Sequence, residues 1–541
     1  MFNEWWRSAV IYQVYPRSFY DSNGDGEGDI PGIISKLPYI ASLGIDAIWL
    51  SPFYKTPNKD GGYDVSDPRD VDPRFGTLDD ARELIKKAHQ HGLKVIFDIV
   101  PNHFSSEHVW FKEALASEPG SPARARFHFR DGRGADGSIP PNNWNSLFNG
   151  PSWTRVVEKN GSLGQWYLHL FDSSQPDLNW DNPEVEADFE KTLRFWLDMG
   201  LDGFRIDVAH GMVKADLDKD HHDPDGLTTA LRIDTGEMDR DTRIEFLSNI
   251  PFFGQPGVHD IYRRWRKIFD TYDGDSLTVG EVYLYPTYRL AEFVRKDELS
   301  QVFNFDYMFT DWNPARLKES ISRTMREIGE VGATCTWVMC NHDSPRVASR
   351  LGLRGARAFA ALTHALPGSV YVYQGEELGL PTGEIANEFR QDPAFIRSGG
   401  TDLGRDGARV PLPWKKSEHA FGFTSGTPWL PQMSAYGDCA VDVEESDKSS
   451  YLNFYRKSFA LRKEISDFGV NSSFEFIDSP AEVLTFKRGS SILVVANTGK
   501  TSLKMNIPTG YSIIHDSADE SSVNGTELHI ASESTVWLQA K

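Results

Sequence analysis

GFRIDVAH, residues 203–210, reads as a buried β-strand that ends in charge. Arg205 and Asp207 lie two apart and share one face of a strand, while Phe204, Ile206 and Val208 share the other. An arginine beside an aspartate favours the ionised carboxylate and suits a nucleophile. The plainer alternative is a structural ion pair at a strand end. Three other strand-like runs finish in the same way: DIVPNH (98–103), LTVGEVY (277–283) and WVMCNHD (337–343).

Outward from these runs, strands and helices alternate. VIYQVYP (10–16) reads as a strand, PGIISKLPYIASLG (31–44) as a helix and IDAIWLSP (45–52) as the next strand. Thr77 caps LDDARELIKKAHQHG, Gly92 ends it, and KVIFDIVPN (94–102) follows as a third strand. Asn182 as N-cap with Pro183 at the first helical position opens the helix that leads into 203–208. Further strand-like runs fall at 276–283, 301–307, 335–341 and 369–374, which makes eight candidates. Eight βα units are what a closed (β/α)₈ TIM barrel, an α/β fold, requires.

The rhythm breaks in three places. Residues 104–173, rich in Gly, Pro, Asn and aromatics, read as an irregular subdomain inserted after the third strand. Residues 209–255 read as a long polar loop carrying KADLDKDHHDPDG, in which His221 and His222 lack further ligands at metal-binding spacing and belong to a solvated loop. Residues 378–430 form a second excursion, from the last strand. The expected barrel therefore comprises 1–103 and 174–465, and short alternating runs over 466–541 read as a C-terminal all-β sandwich domain.

At 541 residues with 39% hydrophobic content the chain is long enough for a large core plus smaller domains. A net charge of −21 argues against a nucleic-acid or anionic-membrane partner. Cys335, Cys340 and Cys439 form no CxxC pair, no basic-then-apolar leader opens the chain, and no run nears ~18 apolar residues. A cytoplasmic protein, monomeric or homodimeric, is expected.

Barrel enzymes carry their chemistry at the C-terminal ends of the strands. Those ends hold Asp98, Asn102, His103, Arg205, Asp207, Glu281, His342 and Asp343. Charged groups of this kind are rarely buried without a partner or a function. With no nucleotide loop, no GxSxG and no evident Cys–His pairing, carboxylates facing a cleft point to glycoside hydrolysis: one attacks the anomeric carbon and another protonates the leaving oxygen. The residues alone do not say which is which.

The four blocks DIVPNH, GFRIDVAH, VGEV and CNHD resemble the signature regions of glycoside hydrolase family 13, the α-amylase family, in order and spacing. QPDLNW (175–180) resembles a fifth region as it stands in the oligo-1,6-glucosidase and α-glucosidase branch. The resemblance spans essentially the whole chain. It implies that Asp207 is the nucleophile, Glu281 the general acid/base and Asp343 the transition-state stabiliser. His103, Arg205 and His342 would hold the first glucosyl unit, with Tyr63 as its aromatic platform. Asp64 would grip the non-reducing-end hydroxyls and pair with Arg409, closing the pocket behind one glucose.

DSNGDGEGD (21–29) offers alternate oxygens around a Gly-rich turn: Asp21, Asn23, Asp25, the Glu27 carbonyl and Asp29. Alone it would be a polar turn. The resemblance implies a structural Ca²⁺ site there, with Mg²⁺ as the alternative ion. The resemblance also divides on linkage. Valine after the nucleophile, here Val208, is similar to α-1,6-acting members, whereas the form GFRIDVAHG resembles α-glucosidases of maltose-type substrates. A subsite wall of this size discriminates by only ~1–3 kcal/mol. The expected activity is a retaining, exo-acting α-glucosidase on short oligosaccharides, with transglucosylation. The alternatives are an oligo-1,6-glucosidase and a glucosyl-transfer isomerase of the sucrose isomerase or trehalose synthase type. A transporter ectodomain is a non-enzyme alternative, but such chains have a membrane span and often a broken catalytic set.

Overall fold

The structure, a computed structural model, describes residues 4–231, 238–272 and 276–541. Residues 1–3, 232–237 and 273–275, which fall inside the expected barrel and the 209–255 loop, lie outside the described residues. Eight parallel strands form one sheet: β1 (Val10–Val14), β2 (Ala47–Leu50), β3 (Lys94–Ile99), β4 (Gly203–Ile206), β5 (Leu277–Gly280), β6 (Gln301–Val302), β7 (Thr336–Val338) and β8 (Ser369–Tyr373). Their order, β6-β5-β4-β3-β2-β1-β8-β7, is that of a (β/α)₈ barrel unrolled between β6 and β7. There the Thr336 hydroxyl donates to the Val302 carbonyl across the seam.

Strand alternation sorts the side chains. Ile11, Trp49, Ile96, Val279 and Tyr371 pack together inside the barrel, while Phe97, Phe204 and Ile206 face the surrounding helices. The inward column of β3 and β4 brings Asp98 and Arg205 into direct register. The outer helices begin where their caps place them. Thr77 and Asp80 form a reciprocal capping box at Leu78–Gln90, and the Asn182 side chain accepts the Glu184 amide at Pro183–Asp198.

Between β3 and Pro183–Asp198, the inserted segment contains helices Val109–Ala116 and Pro122–Ala125 and a three-stranded antiparallel sheet, Phe129–Arg130, Leu163–Leu168 and Trp153–Val157. The stretch read as a polar loop over 209–255 is instead partly helical, with helices Pro224–Leu231 and Arg240–Ser248. Asp223 accepts the Gly226 amide ahead of Pro224, and Leu227 and Ala230 are buried. The acidic run hides a helix start made of an aspartate cap followed by proline.

The last 68 residues carry two antiparallel sheets. One has five strands, ordered Phe474–Ile477, Val483–Arg488, Ile492–Asn497, Ser534–Ala540 and Tyr511–Asp516; the other has Leu503–Asn506, Glu527–Ile530 and Ser522–Asn524. Val483, Leu493, Val495, Leu528, Ile530 and Val536 fill the space between them. Arg462 and Arg488 cap carbonyls of residues 364–368 where this sandwich meets the barrel. No helix among the described residues is long and apolar enough to cross a membrane. The three cysteines are free thiols.

Candidate active site

The C-terminal ends of the strands open into one cavity of about 470 Å³ lined by Asp60, Tyr63, His103, Asp207, Glu281, Asp343 and Arg405, among others. At its floor one guanidinium organises three carboxylates. Arg205, 1% exposed, reaches Asp98 at 2.9 Å and Asp207 at 2.6 Å through Nη1, and Glu281 at 2.9 Å through Nη2. Asp207 and Glu281 thus hang on the two terminal nitrogens of a single arginine. Burial pushes Asp98 up to about 7 against the pull of Arg205, and burial likewise raises Asp207, with Glu281 and Asp98 adding to it.

His342 forms a second centre. Gln13 holds its Nδ1 at 2.7 Å, which turns Nε2 toward the Tyr63 hydroxyl (2.7 Å) and Asp343 (3.2 Å). The Tyr63 and His342 rings stack at 5.3 Å, and the Tyr63 hydroxyl lies 3.0 Å from Asp98. Burial alone would raise Asp343, but His342, Arg405 and Arg409 outweigh it and hold its carboxyl well below the usual range. His103 is buried against Phe171, near the Tyr63 carbonyl and the Gln175 amide. Burial lowers His103 to about 4, so it is neutral at pH 7.

The structure corrects the expected clamp. Asp64 is fully buried, and its carboxylate is spent on the Thr56 hydroxyl and the amides of Lys59 and Asp60. Arg409 reaches the Asp343 carboxylate (2.7 Å) and the His342 carbonyl, not Asp64. The pair that walls the cavity lies four residues earlier in each segment. Arg405 binds Asp60 at 2.6 Å, Asp343 at 3.2 Å and Asp392 at 2.6 Å. The turn at Gly61 and Gly62, both in the left-handed region (φ 56° and 99°), separates the two aspartates: Asp60 faces the cavity and Asp64 turns away from it. Burial raises Asp60 to about 6, against Arg405 and Arg409.

Other groups that sequence reasoning missed are Gln175, which donates to Asp60 (3.0 Å) within the QPDLNW block, and Asp392, which caps Pro393–Arg397. Gln175 had a signal, its place in a recognised block; Asp392 had none.

The 21–29 loop supplies oxygens of the kind a hard cation takes, and the loop's own amides hold those oxygens in a turn. Asp21 accepts the amides of Asn23, Gly24 and Gly26, Asn23 accepts that of Asp25, Asp25 that of Glu27, and Asp29 those of Ser22 and Gly32. Glu27 pairs with Arg17 through its side chain, leaving its carbonyl as the expected donor. Among the described residues no three His, Cys, Asp or Glu side chains gather as a metal centre, at this loop or around His221 and His222.

A parallel barrel whose rim sets two carboxylates on one arginine, beside a third held low by basic groups, defines a glycoside-processing enzyme. The chain belongs to the α-amylase family: the family profile described as the alpha amylase catalytic domain matches residues 13–468. It is 36% identical over 508 residues to an oligo-1,6-glucosidase of Parageobacillus thermoglucosidasius, covering 85% of this chain and 84% of that protein. It is 38% identical over 501 residues to a probable alpha-glucosidase of Rhizobium meliloti (strain 1021), covering 90% and 87%. The solved structure of the alpha-glucosyl transfer enzyme XgtA superposes with a TM-score of 0.89 at 37% identity, over 99% of each chain.

Proposed function

We propose that this glycoside hydrolase is a retaining, exo-acting α-glucosidase that releases glucose from the non-reducing end of short maltose-type α-glucosides. The observation that carries this reading is the sharing of Arg205 by Asp207 and Glu281 at the floor of the cavity. Retaining glycosidases need their two carboxyl groups only ~5 Å apart, so that one attacks while the other protonates the leaving oxygen. Asp207 attacks the anomeric carbon, and Glu281 gives a proton to the leaving oxygen. Asp343, kept ionised by His342 and two arginines, steadies the oxocarbenium-like charge. Water deprotonated by Glu281 then releases α-glucose, and a sugar hydroxyl arriving first gives transglucosylation.

Asp60 and Arg405, rather than Asp64 and Arg409, supply the wall behind the first glucose in this reading. A cavity of about 470 Å³ suits a short ligand. The relatives named oligo-1,6-glucosidase and alpha-glucosidase support glucosidase chemistry. We place Val208 as a modest contributor to linkage choice, so maltose should release glucose faster than isomaltose when the two are compared at equal concentration. Faster release from isomaltose would move the assignment to the 1,6-specific class, and turnover of sucrose alone would move it to the transfer class.

The reading takes the enzyme to work in the cytoplasm, as a monomer or homodimer, without nucleic-acid or membrane partners; free buried thiols and the net charge of −21 support this. It also keeps a structural Ca²⁺, or Mg²⁺ in its place, on Asp21, Asn23, Asp25, the Glu27 carbonyl and Asp29. Gly24 and Gly26, both left-handed, shape that loop against residues 425–427. A chelator should lower the melting temperature by several degrees and added Ca²⁺ restore it; an unchanged melting curve removes the metal from the account.

A further inference from the structure

We propose that Val208 is a positioning residue for the acid: its strained backbone aims an amide N–H at Glu281 and fixes the direction in which that carboxyl gives its proton. The proposal rests on Glu281 being the acid. Strand β4 ends at Ile206, and Val208 has φ 42°. Among the described non-glycine residues with positive φ it is the one with a β-branched side chain. Such a residue in the left-handed region is an outlier, held there only when its surroundings insist.

The surroundings are specific. The Val208 amide donates to Glu281 Oε2 at 3.0 Å. The next amide, of Ala209, donates to the Glu281 carbonyl at 2.9 Å, and His210 Nδ1 approaches the same carbonyl at 3.2 Å. The Tyr262 hydroxyl anchors the Ala209 carbonyl, and Gly211 donates back to the Val208 carbonyl at 2.8 Å. A Cβ on Gly211 would come within 2.7 Å of Val208 Cγ1, so glycine is needed for the turn to close. The residue that follows the nucleophile is thereby clipped to the residue that carries the acid.

The clip has a chemical consequence. Glu281 Oε1 accepts from Arg205, a cation shared with Asp98 and Asp207 and subject to their charge changes as the reaction proceeds. The Val208 amide is neutral and does not titrate. It holds Oε2 in the same place while the proton is given and taken back. A Val208 that acted only as a wall of the cavity, which it also lines, would instead affect how well leaving groups fit.

The two roles separate on substrates that differ in their need for a proton. Maltose needs one to expel its leaving sugar, whereas α-glucosyl fluoride expels fluoride without one. An ester in place of the peptide bond between Asp207 and Val208 deletes the N–H donor and keeps the side chain, whereas V208G keeps the donor and deletes the side chain, since glycine adopts the left-handed region freely. For the ester variant, kcat/KM on maltose should fall about tenfold while that on α-glucosyl fluoride changes less than about twofold, and the alkaline limb of the maltose profile should move. V208G should leave that limb in place. An equal loss on both substrates in the ester variant, no loss on either, or the same shift of the limb in V208G overturns the positioning role. Failure of the underlying assignment looks different: in E281Q, kcat/KM would then fall as much on the fluoride as on maltose, or on neither.

Discussion

Asp207→Asn should lower kcat on maltose by about 10⁴-fold or more while the protein melts no earlier than the wild type. The loss follows from removing the group that bonds to the anomeric carbon, for which the amide of asparagine is no substitute. The unchanged or raised melting temperature follows from the charge balance at the floor of the cavity. Asp98, Asp207 and Glu281 share one guanidinium, and burial raises Asp207. Neutralising one carboxylate relieves repulsion and still leaves Arg205 with two partners. Kinetics and thermal denaturation on the same preparation check both halves. Activity within tenfold of the wild type removes Asp207 as nucleophile, and an early melt shows that its main role is structural.

Arg405→Met should be the most damaging single change to stability and activity together. Arg405 pairs with three carboxylates, and Asp60 and Asp392 are 3% and 2% exposed. Removing the cation leaves buried charges uncompensated, which costs about 3–5 kcal/mol. Asp343 keeps Arg409 and His342, so the larger kinetic loss should come from the unmoored Asp60 wall: kcat/KM falls about 10²–10³-fold, mostly through KM. The pH dependence has a definite sign. Asp392 is held at about 2, with Arg405 and Arg409 overcoming burial, against 3.8 for the unperturbed group. Its pairing therefore stabilises the fold above about pH 4 and is lost as pH falls toward 2. The gap in melting temperature between wild type and Arg405→Met should narrow over that interval. A constant gap would mean that the Asp392 pairing contributes nothing.

How much of this was legible in the sequence depended on what kind of signal each feature left. The eight strands announced themselves because inward and outward positions alternate, and because four of them end in charged blocks. Arg205, Asp207, Glu281, His342 and Asp343 could be placed because strand ends converge in a barrel whatever the loops do. The clamp could not be placed in the same way. Asp60 and Asp64, like Arg405 and Arg409, are pairs of identical residues four apart on loops. The choice between them is made by the left-handed turn at Gly61 and Gly62, which the sequence marks only as a turn. Helix Pro224–Leu231 was hidden for a different reason: its cap, Asp223, sits in a run of acidic residues that reads as solvated loop. Val208 read as strand because it continues the apolar run of residues 203–208, while its backbone obeys the bonds around Glu281 instead.

The most direct test of the double-displacement account is the anomeric form of the first glucose released from maltose, followed by proton NMR within minutes of adding enzyme. The account predicts α-glucose first, with β-glucose appearing only at the slower rate of mutarotation. β-Glucose as the first product would contradict attack by Asp207 and require a single displacement by water.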